Sequence, residues 1–184
     1  LAMAGEDPAL AYVDPPWGPG LATGYRTKAG VPAKVDYWEL IRTILSAVQS
    51  SRVVFLENGH KWMSQMKVEI EQMGGSVLED WTGTYYRRHP CRYIMATWGE
   101  PVAPKIDLGG WDDDDTPGVV IEAHTKPGEL VFDCCTGQGL VSFEAISRGR
   151  KFVGTELNPG RMAIALEKIR DLGYAGDPKC IGKL

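Results

Sequence analysis

The chain has 184 residues, 43% hydrophobic and 24% charged, with a formal net charge of −4. That length allows one domain with a sizeable core. No apolar run approaches the roughly 18 residues of a membrane span, and the net charge gives no global attraction to polyanions. The four cysteines, Cys91, Cys134, Cys135 and Cys180, form no CxxC pair. This argues against a zinc site or a disulfide scaffold and for a reducing, cytoplasmic setting. No signal-peptide pattern opens the chain.

In chain order, Ala9–Val13 reads as a short buried strand. Asp14-Pro15-Pro16-Trp17 follows and cannot continue a sheet, because two prolines supply no N–H donors. The prolines fix the backbone there, holding a carboxylate, a carbonyl and an aromatic face together. Gly18–Pro32 is glycine-rich and reads as a mobile loop. Asp36–Ser50 has helical spacing at Trp38, Ile41, Leu45 and Val48, with Asp36 as N-cap. Arg52–Leu56 reads as a buried strand, and His60–Met73 as a helix ended by Gly74-Gly75. Within it Trp62, Met63 and Met66 are core candidates. Asn58 and His60 are assigned helix-capping or loop roles, with pocket lining as the alternative. Val77–Tyr86 and Cys91–Trp98 form an antiparallel pair joined by "RRHP".

Glu100–Thr116 is a polar connection with four successive aspartates, Asp112–Asp115, read as a solvated loop. Val119–His124 is a short helix. Strand and helix then alternate: Leu130–Asp133, Gly139–Ser147, Phe152–Thr155 and Arg161–Leu172, with a weak strand near Cys180 and Ile181. That alternation predicts a parallel sheet covered on both faces. The expected fold is three-layer α/β and Rossmann-like, mostly parallel with an antiparallel pair at one edge. It forms a single domain with one half over 1–98, a short acidic connection over 99–116 and a second half over 117–184.

The run "LVFDCCTGQGLVSFEAISRGRKFVGTELNP", Leu130–Pro159, holds a strand, a glycine-rich turn, a helix, a second strand and an acid. Gly137 and Gly139 permit a tight turn and close approach to a ligand, and the next helix offers unpaired N–H groups. Glu156 stands where an acid accepts hydrogen bonds from ribose hydroxyls. The unit therefore reads as an adenosine-cofactor site. A dinucleotide fingerprint would need glycine at Ser142, and Asp133 would repel a diphosphate but suit a cationic amino group. Those preferences match S-adenosyl-L-methionine.

The D-P-P-W tetrapeptide, the downstream D-x-x-x-G-x-G turn and "RGRKFVGTELNPGRMAIALEKI" together resemble amino-methyltransferases acting on DNA. With the catalytic motif ahead of the cofactor motif, the order resembles the beta arrangement of N6-adenine and N4-cytosine enzymes. The resemblance implies that Asp14 and the Pro15 carbonyl accept hydrogen bonds from the target exocyclic amine, that Trp17 stacks on the extruded base, and that Pro16 completes the motif. Asp133, Gly137 and Gly139 would hold the methionine end and Glu156 the ribose, with Cys135, Leu157 and Asp14 completing the cofactor set. Arg87, Arg88 and Arg92, in "YYRRHPCR" (Tyr85–Arg92), are candidate phosphate contacts, a charged hairpin turn being the alternative. No metal is expected.

Asp at the first motif position points to adenine N6 in DNA, since family members with Ser there mostly act on cytosine N4. RNA adenine, DNA cytosine N4 and a non-catalytic cofactor-binding subunit remain alternatives, with a nicotinamide-dependent enzyme third. Only Gly99–Thr116 occupies the place of the family's target-recognition segment. Sequence choice would then be minimal, come from Gly18–Pro32, or fall to a partner; a homodimer is plausible by resemblance.

Overall fold

A computed structural model describes residues 5–103, 106–112 and 114–173. Twelve elements follow in chain order. They are β1 (Leu10–Val13), α1 (Pro19–Lys28), α2 (Tyr37–Val48), β2 (Val53–Gly59), α3 (His60–Gln72), β3 (Ser76–Tyr85) and β4 (His89–Thr97), then α4 (Thr116–His124), β5 (Leu130–Asp133), α5 (Leu140–Ser147), β6 (Lys151–Gly154) and α6 (Pro159–Asp171). The strand expected near Cys180 and Ile181 lies outside the described residues.

The described strands form one sheet in the order β3-β4-β2-β1-β5-β6. β1 runs parallel to β2 and β5, and β5 to β6, while β4 is antiparallel to both of its neighbours. The mostly parallel sheet with an antiparallel hairpin at one edge is therefore as expected. All four residues of β1 and of β5 are buried, which is why β1 and Leu130–Phe132 of β5 read as continuous apolar runs rather than alternating ones, Asp133 closing β5 as a buried acid.

Alternation along the strands divides the core in two. On one face Ala11, Val13, Val54, Leu56, Ile94 and Phe132 pack under α2 and α3. On the other, Leu10, Tyr12, Phe55, Tyr93 and Val131 pack under α4 and α5. α2 meets its face through Tyr37, Ile41, Leu45 and Val48, one stripe at helical spacing whose side chains contribute roughly 2 kcal/mol each on burial. Asp36 caps it, Oδ1 accepting from Glu39 N at 2.8 Å. Met63 and Met66 are fully buried and Trp62 packs against them.

Two expectations are corrected. Gly18–Pro32 is not a loop throughout: residues 19–28 are α1, started by Pro19 and carrying Gly20 and Gly24. Its support is tertiary. Ala22 is buried, the Arg161 guanidinium lies 4.8 Å from the Tyr25 ring, and Asn158 Nδ2 donates to Lys28 O at 3.4 Å. The acidic connection is not simply solvated either. Leu108 is fully buried, and Val102, Ile106 and Trp111 pack against the second core.

Candidate active site

β1 and β5 are neighbours in register, Tyr12 opposite Asp133. Both strands end at the same edge of the sheet, so the Asp14–Trp17 turn and the Asp133–Gly139 turn emerge side by side. Ligands of open α/β sheets bind at that edge.

The first turn is held at each residue. Asp14 is exposed and accepts from Trp17 Nε1 at Oδ1, 2.9 Å. Pro15 is buried and its carbonyl accepts from Asn58 Nδ2 at 3.4 Å. The Pro16 carbonyl accepts from Tyr37 OH at 2.9 Å and from Gly18 N at 2.8 Å. Gly18 has φ 98°, and a Cβ there would lie 2.6 Å from the Trp62 ring, so the exit from the motif requires glycine. Asn58 is fully buried near the end of β2 and caps nothing: the α3 N-cap is Gly59, with no side-chain bond. The capping role expected for Asn58 is thereby corrected to support of the Pro15 carbonyl. His60 opens α3 and is exposed.

In the second turn Asp133 is 2% exposed, and its Oδ1 accepts from Cys135 N at 2.8 Å. Burial pushes its pKa up to about 8, the Asp14 and Glu156 charges adding to the rise and the Cys135 N–H opposing it. A cation placed beside it would favour its ionised form and draw that pKa back down. The Cys134 thiol and burial keep the Cys135 thiol well above its ordinary range, so it is no ready nucleophile. Gly137 and Gly139 have φ 57° and 86°. A Cβ on Gly139 would sit 2.7 Å from that of Ala165, so this glycine also lets α6 close on the turn. Ser142, at the third position of the fingerprint, is buried and donates to Gly139 O.

Glu156 ties the turn to the end of β6. Oε2 accepts from Gly137 N at 2.8 Å and Oε1 from Asn158 N at 2.6 Å. Leu157 beside it is 41% exposed, an apolar surface next to the acid expected to meet a ribose.

The β3–β4 hairpin reaches this edge as well. Tyr85 packs on Trp17 with ring centroids 4.7 Å apart, and Tyr86 on Tyr85 at 4.3 Å. Sequence reasoning missed Tyr85 as a site residue; its only signal was its place at the last position before the turn. Tyr86 and Arg87 have φ of 50° and 54°, costing about 1–2 kcal/mol each for a non-glycine residue. Arg87 and Arg88 are exposed at the tip. Arg92 is not with them: it pairs with Asp80, Nε to Oδ1 at 2.9 Å, and Asp80 also pairs with Lys67 of α3. A groove along α2, lined by Glu39, Arg42, Thr43, Ser46 and Phe132, contains none of the predicted groups. Among the described residues no three His, Cys, Asp or Glu side chains are placed to hold a metal ion, and no helix is long and apolar enough to cross a membrane.

Comparison with known proteins bears on the fold and the family. Residues 115–167 match the family model described as DNA methylase. No curated protein matches at a significant level. Among solved structures, M1.HpyAVI superposes with a TM-score of 0.65 at 14% identity, covering 90% of this chain and 88% of its own. TTHA0409 of Thermus thermophilus, a candidate DNA modification methylase solved with S-adenosyl-L-methionine, gives 0.70 at 14% identity over 95% and 90%. The PvuII cytosine-N4-specific DNA methyltransferase gives 0.62 at 14% identity over 91% and 84%. The chain has the Rossmann-like fold of these proteins, and over residues 115–167 the family match bears out the resemblance to DNA amino-methyltransferases.

Proposed function

We propose that this chain transfers a methyl group from S-adenosyl-L-methionine to the exocyclic amine of a flipped DNA base, adenine N6 being the target. The observation that carries the reading is the meeting, at the ends of adjacent strands, of a rigid carboxylate–carbonyl–aromatic turn with a glycine turn built around a buried, cation-seeking carboxyl. The residues present fit that cofactor. Asp133 suits its ammonium group, Gly137 and Gly139 leave room for its methionine portion, and Glu156 and Leu157 offer a polar and an apolar contact to its adenosine. Bound there, S-adenosyl-L-methionine supplies an electrophilic methyl on sulfur.

The chain's own residues do the rest. An exocyclic amine is a weak nucleophile because its lone pair is delocalised into the ring. Asp14 and the Pro15 carbonyl accept hydrogen bonds from its two N–H groups, localising the lone pair and orienting it, and such alignment supplies much of the acceleration of a direct displacement. The proton that the methylated amine sheds passes to the exposed Asp14 carboxylate and on to solvent. Trp17 Nε1 fixes the rotamer of Asp14, and Tyr37 and Asn58 fix the two proline carbonyls. The base must leave the duplex to reach them. Trp17, with Tyr85 against it, then offers stacking of roughly 1–3 kcal/mol against the cost of extrusion. No cysteine takes part.

Asp14 at the first motif position favours adenine, as the resemblance implies. Cytosine N4 is the second reading, favoured by the likeness to a cytosine-N4-specific fold. The test is transfer from labelled S-adenosyl-L-methionine to unmethylated DNA and RNA, followed by nucleoside analysis. The expected product is N6-methyldeoxyadenosine that disappears in Asp14→Ala while cofactor binding persists. N4-methyldeoxycytidine or a labelled ribonucleoside would replace the substrate assignment, and activity retained in Asp14→Ala would overturn the mechanism.

A further inference from the structure

The proposed chemistry makes no use of the acidic run that begins at Asp112. Negative charge beside a nucleic-acid surface opposes binding, yet its first residue, Asp112, lies against the hairpin that carries Arg87 and Arg88. The residues before it form a strap along the outer edge of β3. Leu108 is fully buried at its base. Gly110 N donates to Thr82 O at 2.8 Å, and Trp111 O accepts from Thr84 N at 2.9 Å and from Tyr93 OH at 3.3 Å. Thr84 and Asp112 form a parallel bridge. A Cβ on Gly83 would lie 2.7 Å from Trp111 O, so that glycine admits the strap. At its end Asp112 Oδ2 accepts from Thr84 Oγ1 at 3.1 Å and from Arg87 N at 2.8 Å. The Arg87 bond reaches into the left-handed turn itself.

We infer that Asp112 is a positioning residue for the nucleic-acid interface: the strap Leu108–Asp112 presets the Tyr85–Arg88 tip, whose Tyr85 packs on Trp17, before any nucleic acid arrives. The inference rests on the proposed function. A tip that must be ordered on binding loses affinity to that ordering, and a left-handed pair of non-glycine residues does not hold its shape unaided. Asp112 offsets both through two hydrogen bonds in which its charge is engaged. The consequence has a sign that electrostatics alone reverses: truncating this acidic side chain, and with it both acceptor bonds, weakens binding to a polyanion.

The test measures affinity for a fluorescent DNA duplex and its single strand by anisotropy in wild type, Asp112→Ala, Asp112→Asn and Asp114→Ala. Asp114 is exposed nearby and serves as the charge control. Asp112→Ala is expected to weaken binding about tenfold, the scale of ordering about one backbone residue. Asp112→Asn, whose amide oxygen still accepts, is expected to restore wild-type binding. Asp114→Ala is expected to leave affinity unchanged or raise it. Exchange of the Arg87 amide proton should accelerate in Asp112→Ala and not in the others, and the cofactor dissociation constant should stay within about twofold throughout, which separates the effect from misfolding. If wild type binds DNA and both alanine variants shift affinity alike, the positioning role is wrong and the functional reading stands. If wild type binds neither probe, the functional reading falls and the positioning role with it, whatever the Arg87 amide shows.

Discussion

Acidification is expected to weaken cofactor binding through Asp133. In the cofactor-free protein this carboxyl has a pKa of about 8 because it is buried near Asp14 and Glu156. The form that attracts an ammonium group is the ionised one, so binding below that pKa must first remove a proton. Each pH unit costs about 1.4 kcal/mol, or a factor of about ten, once the carboxyl is mostly protonated. Affinity is therefore expected to fall about tenfold between about pH 7 and about pH 6. Above about pH 8 the amino group of the cofactor loses its own proton, an α-amine titrating near 7.7–8.0, so affinity should peak close to pH 8. Calorimetric titration in buffers of different ionisation enthalpy reads the affinity and also the release of about one proton per ligand at about pH 6.5. Asp133→Asn should bind weakly at about pH 8 and converge with wild type near pH 6, where the native side chain is neutral too. The sign for folding is opposite. An acid whose folded pKa is raised above 3.8 binds protons more tightly when folded, so the cofactor-free protein loses stability as pH rises from about 4 to about 8. Asp133→Asn should then be the more thermostable protein at about pH 8 while binding less cofactor. Affinity that stays within about twofold between pH 6 and 7.5, without proton release, would refute the assignment of Asp133 to the ammonium group.

Three other outcomes follow from the geometry. Gly139→Ala places a Cβ 2.7 Å from Ala165 at φ 86°; the overpacking and the left-handed penalty should together cost about 2–4 kcal/mol, read from the denaturant midpoint. Glu156→Ala strands the Gly137 and Asn158 amides, so cofactor affinity should drop about 10–100-fold while the transfer rate at saturating cofactor stays near wild type. An equal loss of rate would instead place Glu156 in the chemistry. Tyr37→Phe removes the buried donor to the Pro16 carbonyl; it should cost about 1–3 kcal/mol of stability and slow transfer without moving the cofactor dissociation constant, measured by calorimetry beside a turnover assay.

Much of this architecture is readable in the chain because its signals are local. The buried runs of β1 and β5 are continuous in the sequence, α2 carries a single apolar stripe behind a capping aspartate, and both site motifs break a strand abruptly. What escaped sequence reasoning depends on contacts between distant residues. α1 holds two glycines and one buried residue, and it is a helix because Arg161 and Asn158 sit against it. Arg92 reads as a free cation until β3 and α3 bring Asp80 and Lys67 to it. Asn58 and Tyr85 have no motif of their own, and gain their places from the strands that carry them to the Asp14 turn. The Asp112 carboxylate looks solvated because its partners, Thr84 and Arg87, lie more than twenty positions away.

The seam between β1 and β5 pairs Leu10 with Val131, 121 positions further along the chain. Closing so long a loop is entropically costly and comes late relative to local contacts. Neither turn alone brings Asp14 together with Asp133, so an intermediate with only one half folded has no complete cofactor cradle. A cofactor held between the two turns would therefore bind the finished molecule and not its precursors, and would stabilise that state by mass action. In a cell, its concentration would bear on how long the folded chain survives as well as on how fast it turns over.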